Sequence, residues 1–168
     1  DVRVSNHFRE DEAINAMFSA IHEGGHAIFE QKIDPAYART AAADVYMMGL
    51  HESQSRFFEN ILGRNINFWK PIYEKVGEYL PKLKEIPLER FYQEINRVQC
   101  SMIRTEADEV TYAFHVILRY ELERAIFRDG VTAEELPALW NQKMQELLSI
   151  CPKNDAEGVM QDMHWSEG

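Results

Sequence analysis

Apolar residues in this chain recur at helical spacing, in segments cut by proline and glycine, a pattern that favours an all-α fold. Ile14, Phe18, Ile21 and Ile28 define a helix over about 11–31, with acidic residues in its first turn, and Ile33-Asp34-Pro35 breaks it. A second helix is expected over about 44–62, stopped by Gly63. Further helices follow at about 65–79 and 88–100, separated by Pro81 and Pro87. The longest is expected over about 102–128 and ends at Asp129-Gly130. Thr132 then opens a short turn, and Pro137 suits the first position of a helix reaching Leu148. The tail after Pro152 is polar and turn-like, with room for a short helix over about 155–161. Only Val2-Arg3-Val4 alternates, as a short edge strand would. No repeat, low-complexity stretch or linker divides the 168 residues, so the chain reads as one unit.

Composition narrows the function. A net charge of -10, from Lys+Arg 18 against Asp+Glu 28, is the opposite of a nucleic-acid footprint. No apolar run approaches the roughly 18 residues of a membrane span. Cys100 and Cys151 are 51 positions apart and lack ligand spacing, so they read as buried or free thiols, in keeping with a reducing compartment. The chain opens on Asp1 rather than Met, which reads as a cut or processed start.

The chemistry concentrates in His22-Glu23-Gly24-Gly25-His26. On a helix, residues four apart lie about 40° apart around the axis and about 6 Å along it, so both imidazoles reach one tetrahedral ion. Glu23 points roughly 100° from His22, where a carboxylate can take a proton from water and pass it to a leaving amine. Two glycines within a helix, each costing about 1 kcal/mol relative to alanine, suggest that something passes close to the backbone; close helix packing is one explanation.

A zinc site of this kind needs a third protein ligand and one open position. His51-Glu52-Ser53-Gln54-Ser55-Arg56 offers it on the next helix, and His51 and Glu52 compete for the role. A carboxylate from a following helix is the usual partner of two such histidines, which favours Glu52. Glu52, Ser55 or Arg56, and Glu59 share one face. Along the long helix, Arg104, Asp108, Tyr112 or Thr111, His115 and Arg119 form a polar stripe at spacings of three and four. Such a stripe can line a cleft and hold a substrate carboxylate, or form a salt-bridged outer face.

Taken together, these motifs resemble the carboxypeptidase Taq family of metallopeptidases, peptidase family M32, along essentially the whole chain. The resemblance runs through Asp1-Val2-Arg3-Val4-Ser5 (family D-x-R-x-T), His22 to His26, and His51-Glu52-Ser53-Gln54. It continues through Ile103 to His115 and through Gly158-Val159-Met160-Gln161-Asp162-Met163-His164-Trp165 (family G-x-x-Q-D-x-H-W). It implies a helical, zincin-like fold and a cytoplasmic, dimeric enzyme that removes single residues from peptides with a free C-terminus, using zinc or cobalt. It implies His22, His26 and Glu52 as metal ligands, Glu23 as general base and acid, and Arg104 or Arg3 as the reader of the terminal carboxylate. His51, Asp108, Tyr112, His115, Gln161 and His164 become candidates for positions around the metal or in the cleft. Ala113 stands where relatives often carry Pro. Family members are much longer, so the chain reads as a catalytic core truncated at both ends, expected to bind zinc but to hydrolyse peptides slowly and to self-associate.

Three rival readings stand beside this one. A carboxylate-bridged di-iron bundle wants two Glu-x-x-His motifs, and apart from His26 no histidine here has Glu three positions before it. A metal-binding piece without turnover, or an endopeptidase with the same zinc chemistry, shares the ligand set; peptide product mapping separates them.

Overall fold

The structure, a computed structural model, describes residues 2–6, 8, 12–43 and 48–161. Among them there is no strand, and residues 2–6 are irregular rather than the expected edge strand. An edge strand needs a partner strand, and the described residues offer none. The described residues gather into two compact units, 1–95 and 96–168, a division that no linker in the sequence marks.

In the first unit, helix α1 (Ala13–Gln31) buries Ala16, Phe18 and Gly25. Glu12 occupies its N-cap without a side-chain cap bond, and no acidic residue lies in its first turn. The expected break follows: Asp34 accepts the Ala36 N–H at 2.8 Å, and Pro35 starts a single tight turn. Helix α2 (Met48–Arg56) widens over Phe57–Leu62 into a π-helical turn. It closes at Gly63, whose N–H reaches back five residues to the Phe58 carbonyl at 2.8 Å. The helix expected over 44–62 therefore ends where the glycine places it, while 44–47 lie outside the described residues.

The helix expected over 65–79 is two, α3 (Ile66–Trp69) and α4 (Tyr73–Tyr79). Pro71 falls between them and has no N–H to continue the ladder. Helix α5 (Leu88–Ile95) stops short of Cys100, and the Gln99 N–H is donated to the Asp108 carboxylate instead. Phe18, Trp69, Leu83, Phe91 and Ile95 form the core of this unit. Trp69 is fully buried, with its ring 4.7 Å from Phe91, and its indole N–H donates to the Gly63 carbonyl at 2.6 Å. That bond fixes the end of the π-helical turn to the core.

In the second unit the long helix begins later than expected. Asp108 is the N-cap of α6 (Glu109–Arg124), and Arg104–Glu106 is a separate tight turn before it. After α6 a π-helical turn, Ala125–Asp129, ends at Gly130 in the left-handed conformation (φ 70°). Helix α7 (Leu136–Leu148) starts one residue earlier than expected, so Pro137 is its second residue, still in the first turn, and it reaches Leu148 as expected. Leu118 and Leu122 of α6 pack with Trp140, Met144 and Leu148 of α7 to form the second core. Past Pro152 the chain turns into one short helical turn, Val159–Gln161. Both cysteines are free and exposed. Among the described residues no helix is long and apolar enough to cross a membrane.

Candidate metal centre

The site is built where α1 crosses α2, and Gly25 is the reason they come so close. A Cβ on Gly25 would stand 2.6 Å from the Ser55 Cα and 3.0 Å from the Gln54 carbonyl oxygen. Gly24 is different: a Cβ there would meet nothing within 4 Å. The close approach expected of both glycines therefore holds for Gly25 alone. With the backbones in contact, the side chains beside the crossing face one another.

His22 Nε2 lies 3.4 Å from Glu52 Oε2, and His26 Nε2 lies 3.2 Å from the same oxygen. One donor atom from each of these three side chains falls within 4.8 Å of the other two. A tetrahedral ion holding donors at about 2.1 Å separates them by about 3.4 Å, so the donor set fits a zinc-sized cation. This is the one such group among the described residues. His51, the competitor for the third place, is not part of it.

Each imidazole is also held from behind. His22 Nδ1 meets Glu59 Oε2 at 2.8 Å, and Arg56 donates to that oxygen at 3.2 Å. Glu59 is tied to the core through Arg64, whose guanidinium pairs with it at 3.8 Å, lies 4.7 Å from the Phe18 ring centroid and donates to the Ile95 carbonyl. Glu52 is oriented by Arg56 at 3.2 Å and by the buried Ser55 hydroxyl at 3.0 Å. His26 Nδ1 faces His51 Nδ1 at 2.5 Å, and His51 Nε2 reaches Glu30 Oε1 at 2.8 Å. Glu59 and Glu30 acquire roles that the sequence reading had not assigned. Glu30 had a readable signal, since it follows His26 by four residues on one helix face. Glu59 had one too, the helix face it shares with Glu52 and Arg56, although it sits within a π-helical turn that no residue pattern marks.

Charge follows this geometry. Burial alone would lower the His22 pKa, but hydrogen bonds and charge from Glu52 and Glu59 outweigh it and push the value up to about 9. Burial would raise Glu52, yet His22, Ser55 and Arg56 draw it down to about 2. Burial and the neighbouring His22 charge hold His26 below its ordinary value. Glu23 is half-buried beside them, close enough to act electrostatically on His26. It has no hydrogen bond or ion pair with another described residue.

The remaining candidates are placed differently. Arg3 is exposed in the irregular opening stretch. In the second unit, Arg104 donates to the Tyr112 hydroxyl at 2.8 Å and lies 5.7 Å from that ring's centroid. The Arg104 N–H donates to Gln161 Oε1 at 3.0 Å, while the Gln161 amide donates to the Met102 and Glu157 carbonyls. The helical stripe from Arg104 through Asp108 is thus corrected: both residues precede the helix. The Asp108 carboxylate accepts from the backbone N–H groups of Gln99, Val110 and Thr111. His115 is buried on the same face of α6 as Leu118 and Leu122. Burial lowers its pKa against the pull of its hydrogen bond to the Ser101 backbone, and its Nε2 has no hydrogen-bond partner among the described residues. His164 lies outside the described residues.

The family model for carboxypeptidase Taq (M32) metallopeptidases matches residues 1–168. The chain belongs to this family. Over its full length this M32 chain is 52% identical to carboxypeptidase 1 of Bacillus subtilis and 41% identical to thermostable carboxypeptidase 1 of Thermus thermophilus. It covers 34% and 33% of those two proteins, so it spans about a third of the length of the curated relatives it matches. Among solved structures, the M32 carboxypeptidase of Deinococcus radiodurans superposes with a TM-score of 0.90 at 35% identity, over 97% of this chain and 33% of that one. A metallopeptidase family implies a metal ion, and the His22, His26 and Glu52 cluster supplies a place for it.

Proposed function

We propose that this chain is the zinc-binding part of a metallocarboxypeptidase, with His22, His26 and Glu52 as metal ligands and Glu23 as general base and acid. The observation that carries the reading is the pair of imidazole Nε2 atoms set around one Glu52 oxygen at 3.4 and 3.2 Å, close to the spacing a tetrahedral ion imposes. When bound, such an ion lowers the pKa of water toward 7 and polarises a peptide carbonyl. Glu52 and Glu59 are engaged by histidine and arginine, which leaves Glu23 as the nearby carboxylate without a described partner. Glu23 takes the proton of the attacking water and returns it to the departing amine. Arg104 or Arg3 reads the terminal carboxylate of a peptide substrate, as a charge-assisted pair. The whole protein acts in the cytoplasm as a homodimer on peptides with a free C-terminus, and cobalt can replace zinc.

Metal analysis of the purified chain, combined with product mapping on a free-acid peptide and its C-terminally amidated twin, tests this. One ion per chain and single-residue release from the free acid alone are expected. Internal cleavage of both peptides would make it an endopeptidase. Glu23→Gln should keep the ion and lose the hydrolysis, because it removes a base and not a ligand; loss of the ion would make Glu23 a ligand. A second reading with the same ligand set is metal binding with little turnover. One ion per chain with no released residue would select it.

A further inference from the structure

We propose that His51 and Glu30 form a two-step relay that fixes His26 in the tautomer able to bind the metal, making both of them positioning residues. The inference rests on the metal site just proposed. Its starting point is the asymmetry behind the two histidine ligands. His22 turns its Nδ1 to a carboxylate at 2.8 Å, whereas His26 turns its Nδ1 to another imidazole at 2.5 Å. Two ring nitrogens in contact share one proton, so one of them donates and the other accepts.

The far end of the chain decides which. His51 Nε2 lies 2.8 Å from Glu30 Oε1, and an ionised carboxylate only accepts. In the relay a singly protonated His51 carries its proton on Nε2, its Nδ1 is bare, and His26 donates from Nδ1. This leaves His26 Nε2 with a lone pair facing the Glu52 oxygen at 3.2 Å. A bare nitrogen and an anionic oxygen at this separation are a pair that a bound cation holds together. Both His51 nitrogens are engaged, which also explains why His51 is not a ligand. Its ring is held in place by Phe29, with centroids 4.7 Å apart, and its side chain is 13% exposed. Partners behind a ligating histidine typically set about 10–100-fold of metal affinity.

Zinc affinity, read by chelator competition on the 168-residue chain, tests the relay through a double-variant cycle. His51→Phe keeps the ring against Phe29 and should weaken zinc binding about 10–100-fold. Glu30→Ala should weaken it by about tenfold, whereas Glu30→Gln retains an accepting carbonyl oxygen and should recover most of that loss. In the His51→Phe background, Glu30→Ala should change affinity by less than about twofold, because Glu30 acts only through His51. Equal effects of Glu30→Ala in both backgrounds, or unweakened binding by His51→Phe, would overturn the relay. Nitrogen-15 spectra of the unaltered, zinc-loaded chain give a readout that no variant can spoil: protons are expected on His26 Nδ1 and His51 Nε2. A proton on His51 Nδ1 overturns the relay while leaving the site standing. No zinc uptake by the unaltered chain removes the site and the relay together.

Discussion

Two clusters in this molecule use the same side chains, Arg, His and an acid, to opposite ends. At the crossing of α1 and α2, the acids Glu52 and Glu59 face imidazoles and a guanidinium, and their oxygens stay directed at side chains. At the start of α6, the Asp108 carboxylate accepts the N–H groups of Gln99, Val110 and Thr111 and the Thr111 hydroxyl. The first arrangement leaves charge available to a cation. The second saturates an acid with backbone donors that a helix N-terminus would otherwise leave unpaired. Residue type does not separate the two; position relative to the helix end does.

The comparison breaks most readily at Gly25. Gly25→Ala places a methyl group 2.6 Å from the Ser55 Cα, and backbone cannot swing aside as a side chain does. The expected cost lies at the upper end of the about 1–3 kcal/mol typical of overpacking, with zinc uptake lost alongside stability because Glu52 moves with α2. Gly24→Ala adds its methyl group to open space and should stabilise α1 by up to about 1 kcal/mol. Urea unfolding and zinc titration of both variants check this. Equal behaviour of the two would mean that the helix crossing does not depend on the close contact.

A second effect is set by pH. In the metal-free chain the His22 pKa is raised from 6.5 to about 9, so a proton occupies the ligand nitrogen at neutral pH. Zinc must displace it, and apparent affinity should rise about tenfold per pH unit up to about pH 9, with about one proton released per ion. Calorimetry in buffers of different ionisation enthalpy counts that proton. The sign for folding is the reverse. A raised pKa stabilises the metal-free fold fully below pH 6.5 and loses that contribution as pH climbs to about 9. Glu52, lowered from 4.5 to about 2, contributes above pH 4.5 and loses it toward pH 2. The metal-free chain should therefore melt at lower temperature at pH 9 than at pH 6.5, and bound zinc should remove that loss. A melting temperature independent of pH between these values would show that the His22 and Glu52 contact does not stabilise the fold.

Much of the first cluster is legible in the sequence because it rests on helix periodicity. Two histidines four apart must share a face, and a following helix ended by Gly63 carries Glu52 back to them. Periodicity also sets Glu59 on the Glu52 face; what it does not carry is the π-helical turn in which Glu59 sits, or the close backbone contact at Gly25 as distinct from the open space at Gly24. The second cluster misleads for the same reason that the first is readable. Arg104, Asp108 and Tyr112 are four apart and mimic a helical stripe, although the backbone is helical only from Glu109. Asp108-Glu109 ahead of an apolar-periodic run is a helix start signal, just as Pro71 signals the break between α3 and α4. In both places the spacing pattern ran across a boundary that single residues marked.

The smallest expected effect tests whether Asp108 is a cap and nothing more. Asp108→Ala removes the acceptor of two first-turn N–H groups, at 2.9 and 3.0 Å, and of the Gln99 N–H at 2.9 Å. An N-cap loss of this kind costs about 1 kcal/mol. Asp108→Asn keeps one oxygen for Val110 and Thr111 and should cost less, since only the bonds at the second oxygen are lost. Burial opposes ionisation here, but the backbone and hydroxyl hydrogen bonds hold the Asp108 pKa below its ordinary 3.8. Its contribution is thus present above about pH 3.8 and fades as pH falls through the lower folded value, a dependence that Asp108→Ala should abolish. Zinc affinity should not change, because every proposed ligand lies between positions 22 and 52. Unfolding curves at pH 3 and pH 7, read beside zinc titrations, separate the roles. A variant with unchanged stability but weakened zinc binding would place Asp108 with the metal-directed acids and remove the distinction between the two clusters.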